Sequence, residues 1–156
     1  MKKTLEKILP EQISNEFQGY RFSEFAFLVL IIITVARSLA HMFLPDGGAG
    51  SIATIDMNVE GADIIISIFA QWGLSQLLMA GVYIIVYIRY KSLIPLMYII
   101  IFFEYLGRIA VGLLKPMETI GTAPGAIANL LFIPLALVLF VFAILDPNKE
   151  GHSSAR

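Results

Sequence analysis

Apolar residues gather into four long blocks, at residues 22–44, 64–88, 92–114 and 125–145, separated by short polar or Gly/Pro-rich segments. A bilayer core of ~30 Å needs ~20 helical residues at a rise of ~1.5 Å each. Each block is long enough, so the pattern predicts four transmembrane helices and an all-α four-helix bundle. Local chemistry supports the boundaries. Pro45, Asp46, Gly47 and Gly48 end the first block, because proline and paired glycines continue a helix only at a cost. Asp63 suits the positive N-terminus of the second helix. Tyr83, Tyr87 and Tyr90 form an aromatic belt at its far end. Asp146, Pro147 and Asn148 stop the fourth helix. Pro95 falls in the first turn of the third helix, where proline is tolerated, whereas Pro134 in mid-helix predicts a kink.

The bundle, residues 22–145, reads as one membrane domain between an N-terminal segment, 1–21, and a tail, 146–156. In the first segment Leu5, Ile8, Leu9 and Ile13 alternate with Lys and Glu around Pro10. A short interfacial helix and a frayed terminus both fit that pattern. A cleavable signal peptide fits poorly. The apolar core starts too late, and Arg37 stands where a cleavage region is small and neutral. The first helix is therefore read as a retained anchor.

Basic residues set the expected orientation. Lys2, Lys3, Lys7, Arg21, Arg89, Lys91, Lys149 and Arg156 flank the blocks on the side of the termini, against Lys115 alone on the other side. The expectation is N-in and C-in, in a bacterial inner membrane.

Polar residues inside the blocks are not scattered. Arg37, His41, Gln71, Glu104, Arg108 and Asn129 map to the outer half or the midplane, while Gln76 lies at or past the midplane. Glu104 and Arg108 are spaced i,i+4, as are Arg37 and His41, and Ser67, Gln71 and Ser75 form a ridge on the second helix. Lipid cannot solvate such stripes, so they are expected to face the bundle interior. Two arginines share one nearby carboxylate, Glu104, and a buried unpaired charge costs several kcal/mol. A second anion is wanted, and Asp63 or a ligand's phosphate or carboxylate could supply it. The alternative is structural, with a neutralised ion pair and polar side chains that glue helices together. The loop 115–125, with Thr119, Thr122 and its prolines and glycines, leads into the free N–H groups of the fourth helix. It reads either as an anion seat or as a tight turn.

Composition narrows the classes further. Hydrophobic residues make up 58% of the 156 residues and charged ones 15%, with a mean hydropathy of +0.80. Soluble domains carry about 25% charge. A net charge of −1 without a basic stripe gives no footprint for nucleic acid. Without cysteine there is no disulfide, thiolate nucleophile, iron–sulfur cluster or cysteine-ligated zinc. One histidine with Glu104 and Asp63 beside arginines is a poor metal site, and no Gly-x-Ser-x-Gly elbow occurs. Trp72 and the phenylalanines read as packing or lipid-facing residues, and no cofactor is expected.

Gln71-Trp72-Gly73-Leu74, Glu104-x-x-x-Arg108 and the Gly/Pro loop before Asn129 together resemble the DoxX-like small four-span bacterial membrane proteins, a domain-of-unknown-function family. The resemblance spans roughly residues 22–145. The chain departs from the family's common form, which has an arginine near the start of the second span. The resemblance implies a four-helix bundle and little about activity. The expected function is retention of a small amphipathic or lipid-like ligand by Arg37, His41, Gln71, Glu104, Arg108 and Asn129. An intramembrane enzyme using Glu104 or His41, and a subunit pairing with its own copy or with another membrane protein, are the alternatives.

Overall fold

The computed structural model describes residues 2–147. The chain is all-helical, with 71% helix, and four of its helices are long and apolar enough to cross a membrane. After a short helix α1 (Lys2–Ile8) come α2 (Arg21–Phe43), α3 (Ala62–Arg89), α4 (Ile94–Leu114) and α5 (Pro124–Ile144), with a 3-10 turn over Lys91–Leu93 leading into α4. It is a multi-pass membrane protein built as a four-helix bundle. Pro95 lies in the first turn of α4 and Pro124 in that of α5, where no intrahelical N–H is lost. Pro134 lies inside α5.

Two hairpins make up the bundle. α2 packs along α3, and α4 along α5, while α2 and α5 join the hairpins and α3 touches α4 sparingly. The close approach of α2 to α3 depends on Gly73, where a Cβ would stand 2.8 Å from the Cβ of His41 and 3.0 Å from the Ser38 carbonyl. Small residues at helix contacts in lipid work in this way, by admitting backbone-to-backbone proximity.

The two ends of the bundle are built differently. Near the termini, Phe27, Tyr83, Ile94, Tyr98 and Leu139 are fully buried, and the Phe27 ring lies 5.7 Å from both Tyr83 and Tyr98. Hydrogen bonds sew this end together. The Ser23 hydroxyl donates to the Leu139 carbonyl at 2.9 Å, and the Tyr98 hydroxyl to the Ser23 carbonyl at 2.6 Å. Glu24 is 6% exposed and forms ion pairs with Lys91 at 2.7 Å and Arg21 at 3.0 Å.

The N-terminal segment packs against this end. The Lys7 ammonium donates to the Ile144 carbonyl at 2.6 Å, where a cation complements the negative C-terminus of α5. Ser14 and Ser92 exchange two hydrogen bonds, and the Tyr20 N–H donates to the Phe142 carbonyl. The tail residues Lys149 and Arg156 lie outside the described residues.

At the opposite end, which carries the two long loops, apolar side chains of α4 and α5 stay uncovered: Val111 is 60% exposed, Leu113 79% and Leu130 63%. Order here comes from the loops. Gly47 and Gly48 take positive φ, and the Asp46 carboxylate accepts from the N–H groups of Gly48 and Ser51. These short bonds hold the Asp46 carboxyl below its ordinary range, with the Ser51 N–H the largest cause. Thr54 bridges the two loops. Its carbonyl accepts from Ile120 N–H at 2.9 Å, and its hydroxyl donates to the Gly121 carbonyl at 2.9 Å.

Candidate functional site

Where the packed half gives way to the open half, three helices place polar side chains on one another. α2 supplies Arg37, α3 supplies Gln76 and, one turn earlier on the same face, Trp72, and α4 supplies Glu104 and Arg108. Gln76 is the centre. Its carbonyl oxygen accepts from Arg37 Nη2 at 2.7 Å and from Arg108 Nη2 at 2.9 Å, and its amide nitrogen donates to Glu104 Oε1 at 3.0 Å. Chemistry fixes this amide orientation, since a flipped amide would aim N–H groups at two guanidiniums and an oxygen at a carboxylate. Arg108 also donates from Nε to Glu104 Oε1 at 3.2 Å and forms an ion pair with it through Nη2.

Aromatic rings surround the guanidiniums. Both lie over the Trp72 ring, Arg108 at 4.9 Å from its centroid and Arg37 at 5.6 Å. Arg108 is also 5.3 Å from the Tyr105 ring, which stacks on Phe132. An indole face next to a desolvated cation contributes ~2 kcal/mol. It does not neutralise the charge.

The balance of charge inside the span is uneven. Arg37 and Arg108 share a single carboxylate, Glu104, so the cluster carries one net positive charge. Asp63, the other expected counter-charge, is exposed at the start of α3 and bonds to neither arginine. Among the described residues, two buried side-chain polar atoms have no partner, Arg37 Nε and the Tyr83 hydroxyl. Tyr83 lies two turns beyond Gln76 on the same face of α3. Buried donors are nearly always satisfied, so a pair of orphans beside an excess charge is unusual.

The other sequence-expected residues are placed differently. His41 is 3% exposed and packs 4.7 Å from the Trp72 ring, and its Nδ1 sits 2.8 Å from the Gly47 carbonyl. A carbonyl only accepts, so Nδ1 carries the proton and His41 pins the loop that follows α2. Gln71 is exposed, and its side chain makes no hydrogen bond. The expected ridge of Ser67, Gln71 and Ser75 therefore points away from the bundle, and the Ser75 hydroxyl bonds back to the Gln71 carbonyl. Asn129 is half-buried on α5 with no side-chain hydrogen bond to the cluster. Lys115 is exposed at the end of α4.

Sequence reasoning missed Gln76, Trp72, Tyr83 and Tyr105. A signal was available: Gly73 and Ala80 flank Gln76, and small residues mark the helix face that another helix approaches closely.

One turn from Trp72 toward the loops, an apolar cleft of about 370 Å³ is lined by Ile55, Ile65, Ile68, Phe69, Met117 and Glu118. Phe69 connects it to the cluster, edge-on to Trp72 at 5.9 Å. The Thr54 bridge to Ile120 and Gly121 joins the two loops that contribute Ile55, Met117 and Glu118 to the cleft. No three His, Asp or Glu side chains come together as a metal site among the described residues. No protein-family model matches this chain, and no curated protein or solved structure does either.

Proposed function

We propose that the protein binds a small amphipathic or lipid-like ligand within the bundle, through Arg37 and Arg108. The observation that carries this reading is the excess positive charge of the Arg37–Gln76–Glu104–Arg108 cluster inside an apolar span. A buried charge without a counter-ion costs several kcal/mol, and a bound anionic or strongly accepting group removes that cost. Gln76 and Glu104 set the orientation of the guanidiniums, and the apolar cleft beside Trp72 offers room for the rest of the ligand. Eight basic residues on one side against one on the other support an orientation with both termini cytoplasmic, in what we read as a bacterial inner membrane. The resemblance to DoxX-like proteins fits the bundle and adds nothing to the choice of ligand.

Native mass spectrometry from mild detergent tests this reading. Wild type is expected to carry a discrete bound mass that Arg108→Ala loses. Wild type holding only exchangeable bulk lipid overturns it.

A second reading has its own observation. Ser67, Gln71 and Ser75 face outward from α3 within the apolar span, where lipid does not satisfy the Gln71 amide. A partner helix, from a second copy or another membrane subunit, would cover that ridge. Enzymatic use of Glu104 is less favoured, because Arg108 and Gln76 both donate to its Oε1 and already occupy that oxygen.

A further inference from the structure

Resting on the ligand-binding reading above, we infer that the occupant is a compact, single-chain monoanion, of carboxylate type, seated with its charged end toward Gln76 and its apolar body in the cleft under the loops. Phospholipid is excluded by the same geometry.

Charge sets the head group. The cluster has one uncompensated positive charge, which a monoanion neutralises and a dianion would overshoot. Arg37 Nε is a buried donor without a partner, and a carboxylate oxygen is the acceptor that suits a guanidinium edge.

Position sets the direction. Along α3 the cleft residues Ile65, Ile68 and Phe69 lie toward the loops, and Trp72 and Gln76 lie deeper. The sole charged residue lining the cleft is Glu118, a carboxylate. An anionic head group at the loop end would meet a like charge there, and the cations are one to two turns further in. The charged end therefore goes in first. A phospholipid of the outer leaflet is arranged the opposite way, with its head at the surface and its chains inward.

Size sets the body. About 370 Å³ is at the small end of the ~300–1,000 Å³ typical of small-molecule sites, enough for one chain or ring system. The joined loops, tied at Thr54 to Ile120 and Gly121, bound that space on the loop side.

Trp72 is the chain's only tryptophan and touches both arginines and Phe69, so its emission reports occupancy of the cleft and of the cluster. The test uses the full chain in phosphatidylcholine nanodiscs, titrated separately with decanoate, decanol and phosphatidylglycerol. Decanoate is expected to shift Trp72 emission saturably, and decanol, of equal chain length and no charge, is not. Arg108→Gln is expected to weaken decanoate about tenfold or more, the worth of one charge-assisted hydrogen bond. Ile68→Phe adds bulk to the cleft lining and leaves Arg37, Gln76, Glu104 and Arg108 unchanged, and it too is expected to weaken decanoate. Equal responses to decanoate and decanol, or an Ile68→Phe protein that binds decanoate as wild type does, overturn the inference. A saturable, Arg108-dependent response to phosphatidylglycerol with none to decanoate overturns it while leaving the ligand-binding reading intact. Silence to every probe overturns both.

Discussion

Two carboxylates in this bundle each meet two cations, and their surroundings give them opposite roles. Glu24, at the end near the termini, pairs directly with Lys91 and Arg21. The excess charge there is Arg21, whose side chain is 88% exposed and can be solvated outside the bundle. Glu104, in the open half, pairs with Arg108 and reaches Arg37 through Gln76, and the Arg108 and Glu104 side chains are only 15% and 25% exposed. The same stoichiometry thus leaves its surplus charge in solvent at one site and inside the span at the other. Counting ion pairs does not separate the two sites. Asking where the surplus charge is solvated does.

The rest of each half agrees with that division. Around Glu24 lie Phe27, Tyr98 and Leu139, buried and cross-linked by the Ser23 and Tyr98 hydrogen bonds. Toward the loops from Glu104, apolar side chains of α4 and α5 stay uncovered, and two loops are held by short hydrogen bonds at Asp46 and Thr54. Stability is concentrated where the core is continuous, and elements that admit ligands come from the less stable part of a fold.

The largest expected effect breaks the complete site. Glu24→Ala strands Lys91 against the packed end and is expected to cost roughly 1–3 kcal/mol, read by thermal unfolding in detergent. Retention of any bound mass by the folded protein is expected to survive it. Loss of the bound mass at unchanged stability would erase the distinction between the two sites.

A smaller effect sharpens the comparison through pH. The Asp46 carboxyl, in the loop after α2, is held below its ordinary value by the Ser51 and Gly48 N–H groups. Its contribution to loop order is complete above the unfolded value, about 3.9, and is lost as pH falls through the lower folded value. Acid should therefore loosen the loop end as the Asp46 carboxylate takes up a proton. The amide NMR signals of Gly48 and Ser51 are expected to titrate with a midpoint below that of a free aspartate. A midpoint at or above it contradicts this account of the loop.

The helices were legible because bilayer thickness fixes how long an apolar block must be, and the four observed spans match the blocks to within a few residues. Arg37, Glu104 and Arg108 were legible as a group because charged side chains in a span must turn inward. The face of α3 was not. It carries Gln71 and Gln76, and hydropathy cannot rank two glutamines in one apolar helix. Gly73 decides between them by letting α2 come close beside Trp72 and Gln76, which leaves Gln71 on the far side. His41 shares a face with Arg37 by spacing, but the Gly47 carbonyl claims its Nδ1. Glu24 carried no signal in the sequence, because its partner Lys91 comes from the distant turn before α4 and no local spacing announces it.

The central claim is that Arg37 is a charge the empty protein does not need. Thermal unfolding of wild type and Arg37→Gln, both stripped of co-purifying molecules by extended detergent washing, tests it most directly. The account expects Arg37→Gln to be as stable as wild type or more so, since the substitution removes an uncompensated charge and keeps a donor for Gln76. A clear loss of stability, of ~3 kcal/mol as for breaking a buried ion pair, would show that Arg37 is structural and contradict the account.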